Sequence, residues 1–130
     1  MTSNATDISE AVEVEIETQY LPQQSAPESS QYAFAYHVSI HNRGRRAATL
    51  RSRHWVIVDG NQMRREVEGD GVVGKQPTIE PGDTFVYTSA VVLDTPVGTM
   101  QGRYHMEEQG GRLFAAGIAP FLLCVPSLVH

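Results

Sequence analysis

The sequence predicts an all-β fold, an antiparallel β-sandwich of about seven short strands, with a small closed barrel as the alternative. Three observations predict it. Apolar and polar residues alternate with period two in segment after segment, as a half-buried strand requires. Gly, Pro and Asn separate those segments at regular intervals. A helical pattern is nearly absent.

Taken in order, "VEVEIETQY" sets Val12, Val14, Ile16, Thr18 and Tyr20 on one face and Glu13, Glu15, Glu17 and Gln19 on the other. "YAFAYHVSIHN" repeats the alternation with Tyr32, Phe34, Tyr36, Val38 and Ile40, and "NRG" at Asn42–Gly44 reads as a turn. The link between them, "YLPQQSAPESSQ", is polar, carries two prolines and is read as a surface loop. A third strand is expected from Thr49 to Val58. "DGN" at Asp59–Asn61 is a hairpin-type turn leading into a short strand from Met63 to Val67. After a glycine-rich loop and the turn "EPGD", strands are expected at Thr84–Leu93, Thr99–Met106 and Arg112–Leu123, the last two separated by "EQGG" at Glu108–Gly111. The predicted core draws on Val14, Ile16, Phe34, Tyr36, Val38, Trp55, Ile57, Phe85, Tyr87, Tyr104, Phe121 and Leu123. Residues 1–10 read as a mobile tail and residues 11–130 as one domain.

The glycine-rich loop "EGDGVVGKQPTIEPG" holds Gly69, Gly71 and Gly74 at the G-x-G-x-x-G spacing of a dinucleotide-binding turn. That chemistry needs a helix whose free N–H groups face the phosphates. Pro77 and Pro81 prevent a helix of useful length from starting there. A reduced form survives, in which glycine amides gather into an anion nest and Lys75 adds a charge. Glu66, Glu68 and Asp70 oppose it, and glycines permitting positive φ at a tight bend are the simpler reading. Gly69, Gly71, Gly74 and Lys75 are therefore the candidate anion-binding residues.

The totals narrow the function. The 130 residues suit one domain, and 41% hydrophobic residues are enough for one core. A net charge of −5 argues against nucleic-acid binding and against an anionic membrane surface. No apolar stretch approaches the ~20 residues of a membrane helix. The N-terminus lacks the basic and apolar regions of a secretory signal, so a cytoplasmic location is expected. The single cysteine, Cys124, rules out an internal disulfide and reads as an inert buried thiol.

Five segments together resemble the ApaG family: Tyr32–Gly44, Ser52–Gly60, Glu68–Gly82, Asp94–Met106 and Phe121–His130. "YLPQQSAPESSQYAFAY" fits as well, and the resemblance spans Val12 to His130. The chain departs from the family pattern at Ile118-Ala119-Pro120-Phe121, where the proline is shifted by one, and at Ser89-Ala90. The resemblance implies a fibronectin type III or immunoglobulin-like sandwich, in agreement with the strand reading. It also implies an association with cobalt resistance and magnesium efflux, and gene neighbourhood with a diadenosine tetraphosphate hydrolase. Related domains in F-box proteins and in a DNA-polymerase-delta-interacting protein imply a binding module.

Other chemistry is weaker. His37 and His41 lie four apart on one strand face, ~13–14 Å along it, too far to share a metal on a regular strand. His54 and His105 sit on other strands, and no pair shows ligand spacing. No metal site is expected and no cofactor. Glu13, Glu15 and Glu17 form a carboxylate row that could attract a divalent cation, but they read rather as the solvated face of an edge strand. Arg43, Arg45, Arg46, Arg51 and Arg53 form a basic run without the interleaved aromatics that stack nucleobases. No nucleophile elbow is present, and no spacing nominates a catalytic triad. The expected function is thus a non-catalytic binding or protein-interaction module. The partner is a protein the sequence does not name, and a second copy of this chain is admissible. Small-anion or nucleotide binding through residues 69–75 is the alternative, and a divalent-metal-responsive protein is a third reading.

Overall fold

The computed structural model describes residues 11–128; the predicted N-terminal tail lies outside the described residues. Eight strands follow one another: β1 (Val12–Tyr20), β2 (Tyr32–Asn42), β3 (Ala48–Asp59), β4 (Arg64–Asp70), β5 (Thr78–Ile79), β6 (Thr84–Leu93), β7 (Val97–Glu108) and β8 (Leu113–Cys124). Short 3₁₀ turns occupy Pro22–Gln24 and Pro27–Ser29 in the first link, and Pro126–Leu128 follows β8. Every pairing is antiparallel. One sheet has the order β1-β2-β6. The other has the order β4-β3-β7-β8, with β5 also paired to β3.

Period-two patterning determines which side chains go between the sheets. In β2, Phe34, Tyr36, Val38 and Ile40 are buried, while His37, Ser39 and His41 are partly exposed. In β3, Trp55 and Ile57 are buried on the face that also carries Arg53. The predicted core residues all belong to the core or pack against it, with Val14, Ile16, Phe85 and Phe121 only partly buried. An aromatic cluster fills the centre. Trp55 meets Tyr36, Tyr104 and Phe121 edge-on, with ring centroids 5.5, 6.0 and 5.9 Å away. Edge-to-face contacts of this kind let the positive rim of one ring meet the negative face of another. The Tyr87 and Tyr104 hydroxyls hydrogen-bond to each other inside this cluster.

Several expectations are corrected. The fourth strand runs on through Gly69 to Asp70 rather than stopping at Val67, because Arg53↔Gly69 and Ser52↔Asp70 continue the ladder. The eighth strand, β5, is two residues long and lies along β3 through Ala48↔Ile79 and Thr49↔Thr78. Two residues are too few to show periodicity. Cys124 is half-buried rather than buried.

The two sides of the sandwich differ. On one, β1 packs along β8, and the Thr18 hydroxyl donates to the Leu122 carbonyl. On the other, β4 and β6 are the terminal strands of their sheets and face each other across a gap. Arg65 Nη2 crosses it to the Val92 carbonyl at 3.0 Å.

Candidate functional site

The gap between β4 and β6 opens into a cleft of about 360 Å³ that reaches down between the sheets. Its floor is Tyr36, Trp55, Ile57 and Met100; its walls include Arg53, Arg65 and Val67 on one side and Ser89 to Val92 on the other. The strand ladder explains the composition. Arg53, Trp55 and Ile57 alternate along β3, and their cross-strand partners Gly69, Val67 and Arg65 share that inward face. Among the described residues no carboxylate, histidine or cysteine lines the cleft.

Arg53 connects the cleft to the glycine-rich loop. Its Nη1 donates to the Asp70 carbonyl at 3.1 Å and to the Gly71 carbonyl at 2.9 Å. Gly69 makes room for this, because a Cβ there would stand 2.9 Å from Arg53 Nη1. Neither Arg53 nor Arg65 pairs with a carboxylate among the described residues. Trp55 is only 2% exposed, and its indole Nε1–H finds no acceptor among the described residues. A buried donor without a partner is uncommon, since leaving one unmade costs ~1–3 kcal/mol.

The sequence-predicted anion residues are placed as follows. Gly69 lies within β4, whereas Gly71, Gly74 and Lys75 lie in the connection to β5. The Gly71 amide donates to the Arg51 carbonyl at 2.8 Å. Val72 and Lys75 exchange backbone hydrogen bonds of 2.8 and 2.9 Å around a tight turn, with Val73 and Gly74 both at positive φ. Gln76 Nε2 also donates to the Arg51 carbonyl, and the Leu50 amide donates to the Pro77 carbonyl. The loop is thereby stitched along the same edge of β3 that pairs with β4 and β5. Val72, 1% exposed, anchors it in the core. β5 rather than a helix follows, as Pro77 and Pro81 predict.

The histidines sit elsewhere. His37 contacts Thr88 and Gln19 through its two ring nitrogens, and His41 contacts Thr84, all on the outer face of the three-stranded sheet. His54 reaches Glu66 at 2.7 Å and Glu68 at 3.6 Å on the outer face of β3 and β4. That hydrogen bond, followed by the Arg64 guanidinium, holds the Glu66 carboxyl below its ordinary value. Among the described residues no three His, Cys, Asp or Glu are grouped so as to hold a metal ion. The arginine run is dispersed: Arg43 pairs with Glu13, Arg51 with Glu107, Arg46 donates to the Gln109 carbonyl, and Arg53 turns inward.

Sequence reasoning missed the cleft. Arg53 sharing the Trp55 face was the available signal, because a charge on an inward face requires an opening or a partner.

Fold and site together define a two-layer β-sandwich that is closed on one side and holds a cleft, lined by cations and aromatics, on the other. The ApaG domain family model matches residues 22–108. Protein ApaG of Stenotrophomonas maltophilia (strain K279a) is 52% identical over 120 residues, covering 92% of this chain and 94% of that one. Protein ApaG of Shewanella sp. (strain MR-4) is 47% identical over 123 residues, covering 95% and 98%. Among solved structures, the ApaA protein of Bordetella pertussis superposes with a TM-score of 0.86 at 46% identity, covering 95% of this chain and 98% of that one. The chain belongs to the ApaG family. Among the described residues no helix is long and apolar enough to cross a membrane.

Proposed function

We propose that this chain is a non-catalytic binding module that engages a protein partner in the cytoplasm, along the open β4 and β6 edges. The family resemblance attaches that role to cobalt and magnesium homeostasis. The observation that carries the reading is the open side itself: two terminal strands with exposed apolar residues, Val67 at 37% and Val92 at 47%. Edge strands with this character invite strand addition, in which main-chain hydrogen bonds supply affinity and flanking pockets supply selection.

Affinity capture from the native cell extract tests this. Wild type should retain a specific protein, identified by mass spectrometry, and Val67→Asp combined with Val92→Asp should lose it while keeping its melting temperature. Equal retention by the double variant would remove the β4 and β6 edges from the reading.

The second reading is a small-anion or nucleotide-polyphosphate site at Gly69, Gly71, Gly74 and Lys75. The positive charges of Lys75 and of Arg53 beside Gly69 support it. The first reading is preferred because the Gly71, Val72 and Lys75 amides already donate to carbonyls.

A further inference from the structure

We infer that the cleft between β4 and β6 is a binding site for a small organic carboxylate with an apolar body, its head held between the Arg53 and Arg65 guanidinium groups and its body over the Trp55 ring. Three observations converge there. The cleft holds about 360 Å³, within the ~300–1,000 Å³ of small-molecule pockets. Its floor is aromatic and aliphatic, which suits an apolar body rather than a fully charged one. The two ionised groups in its wall are both guanidinium, and neither meets a carboxylate from the described residues.

The donors set the chemistry of the head group. A guanidinium fork matches the two oxygens of a carboxylate. Arg53 and Arg65 have already each committed an Nη to backbone carbonyls, which leaves donors for one planar monoanion more readily than for a polyphosphate. The other polar side chain in the wall, Ser89, offers a hydroxyl. A cation would meet two like charges in the wall. The inference is independent of the partner reading, because a binary titration of purified chain reads it without any protein partner.

Trp55 is the sole tryptophan, so its indole N–H gives one resonance in a ¹⁵N-labelled sample of the full chain. Hexanoate and benzoate would be titrated against hexanol, benzyl alcohol and inorganic phosphate. Both carboxylates should move that resonance saturably. The alcohols should bind at least tenfold more weakly. Arg65→Gln should weaken hexanoate about tenfold with the rest of the spectrum preserved. Arg53→Gln would also disturb the loop carbonyls, so Arg65 is the cleaner variant, with Ser89→Ala as a second expected to weaken binding less. The assignment would be overturned by an unmoved indole resonance, by alcohols binding as well as the acids, by phosphate binding more tightly than hexanoate, or by unchanged affinity in Arg65→Gln.

Discussion

Trp55 concentrates the residue-scale argument. It touches three aromatic rings, lines the floor of the cleft, and carries a buried N–H with no acceptor among the described residues. Trp55→Ala should destabilise the chain by about 3–5 kcal/mol, as aromatic truncation in a packed core does; urea unfolding measures it. Native fluorescence should be blue-shifted, because the ring is buried. Trp55→Phe should lose far less, since it keeps most of the packing and deletes an unsatisfied donor. Tyr87 and Tyr104 give a pH signature. Burial first of all raises both phenols, Tyr87 to about 12, against the opposing hydrogen bond from Tyr104. The unfolded chain loses these protons near the ordinary value of 10.0 while the folded chain keeps them. The folded state therefore binds more protons above that pH, and stability must fall as pH rises. Urea midpoints should be level between about pH 7 and 9 and drop from about pH 10 upward. In Tyr87→Phe with Tyr104→Phe that drop should shrink; an undiminished drop would assign it to other groups.

At the scale of elements, the glycine-rich connection and the β7 bulge are decided by backbone proximity. Gly71 sits at φ +62, where a Cβ would lie 2.2 Å from the Lys75 carbonyl oxygen. Gly71→Ala should cost about 1–3 kcal/mol through strain at positive φ and steric conflict, whereas Lys75→Ala should stay within ~0.5 kcal/mol as an exposed substitution. Calorimetry with pyrophosphate and with a dinucleotide polyphosphate should give no saturable heat. Saturable binding abolished in Lys75→Ala would instead establish the anion site. Gly102 follows a register shift in β7 and faces β3, and a Cβ there would stand 2.0 Å from the His54 carbonyl oxygen. Gly102→Ala should therefore force β3 and β7 apart and destabilise by ~1–3 kcal/mol or more, visible in the same urea assay.

For the whole molecule, one core shared by two antiparallel sheets implies cooperative unfolding. Nothing among the described side chains forms a closed ligand set, so the melting temperature should be the same with and without a chelator. A large fall on chelation would point to a metal held jointly by separated groups. The asymmetry of the sandwich matters more for function than its fold class does. Closing it with β1 against β8 leaves β4 and β6 as free edges, and the cleft exists only because these two do not meet.

The sequence by itself determined the fold class, most strand positions and part of the core, while Ile40, Leu50, Met100, Met106, Phe114 and Ile118 are buried outside the expected core set. Period-two alternation in β1, β6 and the later half of β2 records burial directly, since each side chain must face either water or the opposite sheet. It also carried the family resemblance, and Pro77 and Pro81 excluded a helix after the glycines. Only the tertiary structure decided where the edges fall. β5 is too short to carry a period, and Val72 and Ile79 are buried from a loop and a two-residue strand that show no pattern. Nor could the sequence bring Arg53, Arg65 and Ser89 into one cleft. They come from three strands in two different sheets, and their proximity depends on how the sheets stack rather than on any local spacing.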